Sequence, residues 1–226
     1  MQKKTFYLYS LGCAKNTVDS NVMAQILIRS GFQFEINPKK AQFLIVNTCG
    51  FIKPARDEAV ESLNELDGIR KRGQFLLAVG CMAEKFSDEI RERCPGVDGI
   101  LGTRSLRNIL ALIGSLDRSL MLKKTPGDIP EAAVAPQGPS AYLKIADGCS
   151  RNCAFCAIPL IKGKWQSRSV AEICRDAQEL EKSGTREIIL IAQDSTAYGR
   201  DRGESDALPG LTKRSEERRV GKECRS

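Results

Sequence analysis

The 226-residue sequence contains no histidine. A zinc centre built on this chain would lack its common imidazole ligands and would have to rely on cysteine and carboxylate. No apolar run approaches the ~20 residues of a membrane-spanning helix. The start carries Lys3 and Lys4 but no long apolar segment or small-residue cleavage site. It therefore does not read as a secretory signal, and the expectation is a cytoplasmic protein with no membrane partner. The Gly-x-x-x-x-Gly-Lys-Ser/Thr pattern is missing, so no glycine turn reads as a phosphate loop. There is no arginine-rich arm and no interleaved aromatic platform. The formal net charge of +7 permits contact with RNA or a ribosomal surface, and serves solubility equally well.

Cysteine is what the chain has in quantity. There are nine, odd in number and unevenly spaced, which suits a reducing compartment and metal chemistry better than a disulfide scaffold. Three lie within eight residues, in Cys149-Ser-Arg-Asn-Cys153-Ala-Phe-Cys156. Thiolates are soft ligands that favour zinc, copper(I) and iron–sulfur clusters. Three thiolates can hold three irons of a cubane cluster and leave the fourth open to a small-molecule ligand. The spacing favours that reading over zinc or buried structural cysteines, which remain the alternatives.

The first 120 residues alternate strand and helix patterns. Residues 6–10 are short and aromatic-rich, residues 43–46 are continuously apolar, and residues 75–79 repeat that run. Continuous apolar runs fit strands buried on both faces of a parallel sheet. Helical patterns follow at 16–29, capped by Asn16 or Asp19, at 54–72, at 84–93 and at 105–116. Minor strands are expected at 32–36 and 100–101. Each of the three main strands runs into a cysteine beside a glycine, at Cys13, Cys49 and Cys81. Parallel strands present their C-terminal ends on one edge, where ligands bind. Cysteines 36 and 32 residues apart can therefore converge into a second three-thiolate site. They can equally be small buried hydrophobes, as free cysteine often is. Cys94 and Cys174 read as packing residues or free thiols.

Residues 123–140 hold four prolines and two glycines and read as an interdomain linker. A strand at 141–145 then enters the Cys149 loop. Residues 158–169 read as a basic loop, Ser169 as the cap of a helix at 170–182, and 187–192 as a buried strand ending at Gln193 and Asp194. Strand, helix, strand is the start of a β/α barrel, whose active sites sit at the strand C-termini. Gln193 and Asp194 fall on that face, where they can hold a polar cofactor group or simply shape the turn.

The Cys149 loop resembles the cluster motif of radical S-adenosylmethionine enzymes. Leu11-Gly-Cys-Ala-Lys-Asn16, Asn47-Thr-Cys49 and Gly80-Cys-Met-Ala83 are similar to the methylthiotransferase family. Within it, the stretches 10–20, 156–164 and 191–199 resemble the branch that modifies a ribosomal protein. The resemblance covers residues 5 to about 204. It implies that Cys149, Cys153 and Cys156 bind a 4Fe–4S cluster whose open iron chelates S-adenosylmethionine, with Phe155 close by. It implies that Cys13, Cys49 and Cys81 bind an auxiliary 4Fe–4S cluster concerned with sulfur delivery. The implied reaction adds a methylthio group to the β-carbon of an aspartate in the twelfth small-subunit ribosomal protein, by way of a 5′-deoxyadenosyl radical and a second S-adenosylmethionine as methyl donor. The implied partners are that protein or the assembling subunit and an electron donor, with the enzyme a monomer. No acid–base side chain is assigned to catalysis, so the missing histidine is no objection. The sister branch acts on isopentenyladenosine in transfer RNA and has Tyr-Gly-Cys-Gln-Met-Asn where this chain has Leu-Gly-Cys-Ala-Lys-Asn, which favours the protein substrate.

The expected architecture is α/β: an N-terminal parallel-sheet methylthiotransferase domain over 1–122, the linker over 123–140, and the start of a radical S-adenosylmethionine partial barrel over 141–211. The stretch 212–226 is expected to be non-native or disordered, because Arg214-Ser-Glu-Glu-Arg-Arg-Val-Gly-Lys-Glu-Cys-Arg-Ser226 has no apolar periodicity and resembles translated adapter DNA. Cys224 is not counted as a ligand. With only the first barrel units present, the expectation is a fragment that is inactive alone, poorly folded in its second half, or both.

Overall fold

The continuous apolar runs become the centre of a five-stranded sheet that is parallel throughout, in a computed structural model that describes residues 4–120, 139–204 and 207–213. The chain runs β1 (Thr5–Ser10), α1 (Ala14–Arg29), β2 (Gln33–Phe34), β3 (Phe43–Thr48), α2 (Lys53–Ile69), β4 (Phe75–Gly80), α3 (Cys81–Lys85), α4 (Ser87–Arg93), β5 (Gly99–Gly102) and α5 (Ile109–Leu116). The strand order is β2-β1-β3-β4-β5. All six residues of β3 are buried. Its side chains alternate, as strand geometry requires. Phe43 and Ile45, with Leu77 and Val79 of β4, face Met23, Ile26 and Leu27 of α1 and Ile109 and Ile113 of α5. Leu44, Val46, Leu76 and Ala78 face Leu63 and Leu66 of α2 and Ile90 of α4. Two apolar layers thus sandwich one sheet.

The order of the sheet reverses between β1 and β3, since β2 lies on the far side of β1. In open parallel sheets the crevice at such a switch point, outside the strand C-termini, is where ligands bind. Cys13 follows β1 and Cys49 follows β3, so this crevice lies between them.

The second unit contains β6 (Ser140–Lys144), β7 (Ala146–Asp147), α6 (Ile158–Lys162), β8 (Gln166–Ser167), α7 (Val170–Lys182) and β9 (Glu187–Ile191). β6 and β9 pair in parallel, and β7 pairs antiparallel with β8. Ser169 caps α7 through a full capping box with Glu172, as expected from its position. Ile173 and Leu180 pack with Leu143, Ile145, Tyr198 and Leu211. Residues 207–213 are helical, so Thr212 and Lys213 continue an element rather than begin a tail. Most of the linker and all residues from Arg214 onward, Cys224 among them, lie outside the described residues.

Several local expectations differ from the structure. Neither Asn16 nor Asp19 caps α1. The helix begins at Ala14 with Cys13 as its N-cap, and both polar residues are buried inside it. The pattern at 84–93 is two helices, because Phe86 leaves helical geometry (φ -124°, ψ 37°). The helix expected at 105–116 opens with a 3-10 segment, Thr103–Asn108. The loop expected at 158–169 contains α6, started by Pro159 in its first turn where proline loses nothing. β9 is not a buried strand. Glu187 and Ile189 are exposed, because β9 pairs with β6 alone among the described residues.

Candidate metal centre

The N-terminal cysteines sit on turns held together by one side chain. Asn16 lies one helical turn after Cys13. Its Nδ2 donates to the carbonyl of Leu11 (2.8 Å), which precedes Cys13, and to that of Thr48 (3.2 Å), which precedes Cys49. Its Oδ1 accepts from Cys81 Sγ at 3.5 Å. One asparagine thus spans all three strand ends. Asn47 Nδ2 adds donations to the Asn16 carbonyl and to Ser20 Oγ, both 2.9 Å. The turns are too close for side chains at their glycines. A Cβ on Gly12 (φ +90°) would lie 2.8 Å from Cys49 Cβ, and one on Gly80 (φ +98°) 2.8 Å from the Thr48 carbonyl. Glycine is required there on both conformational and steric grounds.

Asn16 is a site residue that its sequence position does not reveal, since an asparagine there has the character of a helix cap. The available signal was an amide on the same helical face as Met23, two turns on, which turns inward. Replacing it by alanine strands the Leu11 and Thr48 carbonyls without the amide that serves both. We expect Asn16→Ala to cost about 1–3 kcal/mol and to lower iron retention at the N-terminal cysteines. Chemical denaturation and metal analysis check both, and unchanged iron would contradict the bridging role.

The Cys149 loop is braced as firmly. The Cys149 amide donates to Gly163 O (3.0 Å) and the Cys156 amide to Cys153 O (3.1 Å). Ser150 Oγ accepts from the Trp165 amide at 3.1 Å. Arg151 pairs with Asp194 at 2.5 Å, tying the loop to the end of β9. Thr196 first, and then Arg151, hold the Asp194 carboxyl below its usual range despite partial burial. Gln193 Nε2 donates to Asp147 Oδ1 (3.0 Å), while its buried Oε1 has no partner.

Both sets of cysteines open into one cavity of about 530 Å³. Cys13, Cys49, Cys81, Cys149, Cys153 and Cys156 all line it, with Gln193 and Asp194 on the β9 side. The volume is in the range of small-molecule and cofactor sites. Phe155 is not brought to it: its side chain is 90% exposed and lies off the lining. Cys94 is buried elsewhere, with Sγ 3.7 Å from the Val60 carbonyl, and Cys174 lies on α7. None of the eight described cysteines is in a disulfide. Among the described residues no three Cys, Asp or Glu side chains gather closely enough to ligate a single ion. A cubane cluster takes its thiolates at separate corners, more widely spaced than the ligands of one ion.

The donor set fits thiolate-ligated iron–sulfur groups. Burial pushes the Cys49 thiol up, and the Cys81 thiol up to about 12 even with the Lys162 cation pulling the other way. Both must lose a proton to become ligands, so metal loading is favoured as pH rises.

Comparisons with known proteins fall on the same two halves. The profile of "Uncharacterized protein family UPF0004" matches residues 5–102, and that of the "Radical SAM superfamily" matches 143–223. The "Ribosomal protein uS12 methylthiotransferase RimO" of Syntrophomonas wolfei is 38% identical over 211 residues, covering 89% of this chain and 48% of that protein. The protein of the same name from Chloroflexus aurantiacus is 41% identical over 229 residues, covering 91% of this chain and 50% of that protein. The chain spans about half the length of the curated relatives it matches. A solved structure of TsrM from Kitasatospora setae, described as a radical S-adenosylmethionine methyltransferase with cobalamin and a 4Fe–4S cluster bound, shares the fold. It has a TM-score of 0.63 at 11% identity, covering 97% of this chain and 53% of that one.

Proposed function

We propose, for a chain that belongs to the RimO family of radical S-adenosylmethionine proteins, that its six cavity cysteines hold two 4Fe–4S clusters and serve methylthio transfer to an aspartate of ribosomal protein uS12. The observation that carries this reading is the shared cavity: two thiol triads from separate sheets open onto one space. Groups of this kind, when bound and reduced by an external electron donor, supply a carbon-centred radical at one triad and sulfur at the other. The chain's own part is placement. Cys149, Cys153 and Cys156 leave one corner of a cubane without a protein ligand, which is the position for the amino and carboxylate groups of S-adenosylmethionine. The unpartnered Gln193 Oε1 is an acceptor suited to an N–H of that cofactor's amino group. Asp194 acts through Arg151 and fixes the cysteine loop. Cys13, Cys49 and Cys81 take the auxiliary cluster, and Asn16 sets their separation.

Turnover is proposed for the chain extended along its gene to the length of its relatives, and the 226-residue chain is not expected to methylthiolate alone. A deletion strain complemented with the extended gene provides the test. Mass spectrometry should show the methylthio mass on the uS12 aspartate and none on isopentenyladenosine of transfer RNA. Modified transfer RNA with unmodified uS12 would overturn the substrate assignment in favour of the sister activity.

A further inference from the structure

Three charged side chains are buried where the two units meet, and a fourth, Asp147, is partly exposed beside them. Asp19 of α1 receives Lys144 Nζ on Oδ1 (3.0 Å) and Lys162 Nζ on Oδ2 (2.6 Å). Asp147 Oδ2 receives Lys144 at 3.1 Å and lies 3.6 Å from Lys162. Thr103 Oγ1 accepts from Lys162 at 2.6 Å. The side chains of Asp19, Lys144 and Lys162 are 6%, 7% and 4% exposed. Two carboxylates and two ammoniums sum to zero charge.

Such a network is a poor source of stability, because each buried ion gives up several kcal/mol of hydration that pairing must restore. Its members are placed where they can fix geometry. Asp19 lies six residues after Cys13, Lys162 six after Cys156, and Lys144 and Asp147 five and two before Cys149. Asp147 also holds Gln193 and the Gly148 amide. Lys162 itself lines the cysteine cavity. Two weaker ties run alongside: Lys15 Nζ to Ala192 O at 3.4 Å, and Arg104 to the α6 carbonyls of Ile161 (3.0 Å) and Leu160 (2.6 Å).

We propose that Asp19, Lys162, Lys144 and Asp147 form a positioning clasp that sets the distance between the two cysteine triads, with Asp19, paired to both Lys162 and Lys144, as its link between the units. The paired charges meet at defined distances and directions, whereas an apolar contact is non-directional. The pairing keeps the Lys162 ammonium charged, since Asp19 and Asp147 more than offset the effect of burial. The clasp acts through the loops that carry the cysteines. Its consequence for two bound clusters rests on the proposed function, but its mechanical role does not.

The test uses the 226-residue chain, with Asp19→Asn and Lys162→Met as nearly isosteric variants, each of which leaves the remaining charges a partner. In metal-free protein, hydrogen exchange of the amides at 144–148 and 158–163 should speed up by about tenfold or more in both variants. Lys162→Arg should restore most of the protection. Arg93→Met, which breaks a surface pair with Asp57 and Glu89, should leave it unchanged. In anaerobically reconstituted protein, the magnetic coupling between the two reduced clusters should weaken and broaden in Asp19→Asn and Lys162→Met at unchanged iron content. Wild-type exchange and wild-type coupling in both variants would overturn the clasp. Iron for one cluster only in the wild type would defeat the two-cluster reading, and the metal-free exchange would still decide the clasp.

Discussion

Alanine at Cys149, Cys153 and Cys156 together should abolish the reductive cleavage of S-adenosylmethionine proposed for this chain extended to the length of its relatives. The loss should be on the order of a thousandfold or more, because the chemistry belongs to the bound group and no protein side chain can replace it. On the proposed function, the complementary variant, with alanine at Cys13, Cys49 and Cys81, should keep cleavage to 5′-deoxyadenosine and methionine but transfer no methylthio group. The two triads come from different strand ends of different sheets, so emptying one leaves the other's ligands in place. Anaerobic assay of 5′-deoxyadenosine beside mass spectrometry of the protein substrate separates the steps. Cleavage surviving in the Cys149 variant, or vanishing in the Cys13 variant with its remaining cluster intact, would contradict the division of labour.

The second large effect lies away from the cysteines. Phe43 opens β3 with no exposed surface. Its ring stacks on Phe75 at 5.4 Å and meets Phe32 edge-on at 5.9 Å. Phe43→Ala removes this contact and opens a cavity between the sheet and α1, at about 3–5 kcal/mol. Against a typical total of about 5–15 kcal/mol, that is enough to unfold a large share of the N-terminal unit at physiological temperature. Cys49 lies at the other end of the same strand, so metal retention at Cys13, Cys49 and Cys81 should fall with the fold although no ligand is touched. Denaturant titration followed by metal analysis gives both numbers, and a loss below about 1 kcal/mol would show that the core is not organised as described.

Much of this architecture was legible in the residues. The apolar runs at 43–46 and 75–79 have no polar interruptions, as strands covered on both faces of a parallel sheet have. The cap of α7 was legible because Ser169 stands just before the helical pattern, and the structure adds Glu172 as its capping-box partner. The cysteines at the ends of β1, β3 and β4 could be placed on one edge because a parallel sheet allows nothing else. What stayed hidden depends on long-range contacts. Asn16 and Asp19 have the residue types of helix caps, and only the neighbouring strand ends and the second unit show why they are buried instead. Phe86 breaks a helical pattern without glycine or proline to announce it. β9 reads as buried from its isoleucines, and it is exposed because β6 is its single described partner. The convergence of both triads on one cavity required the packing of α6 against the N-terminal unit, and no local pattern contains that.

The most direct test of the central claim is a count of iron and acid-labile sulfide in this chain after anaerobic reconstitution, made on the wild type and on both triple-alanine variants. Two cubane clusters predict roughly eight irons and eight sulfides per chain, falling to about four of each in either variant. Complete loss of iron in the Cys149, Cys153 and Cys156 variant, or an unchanged count when Cys13, Cys49 and Cys81 are replaced, would contradict two separately held clusters facing one cavity.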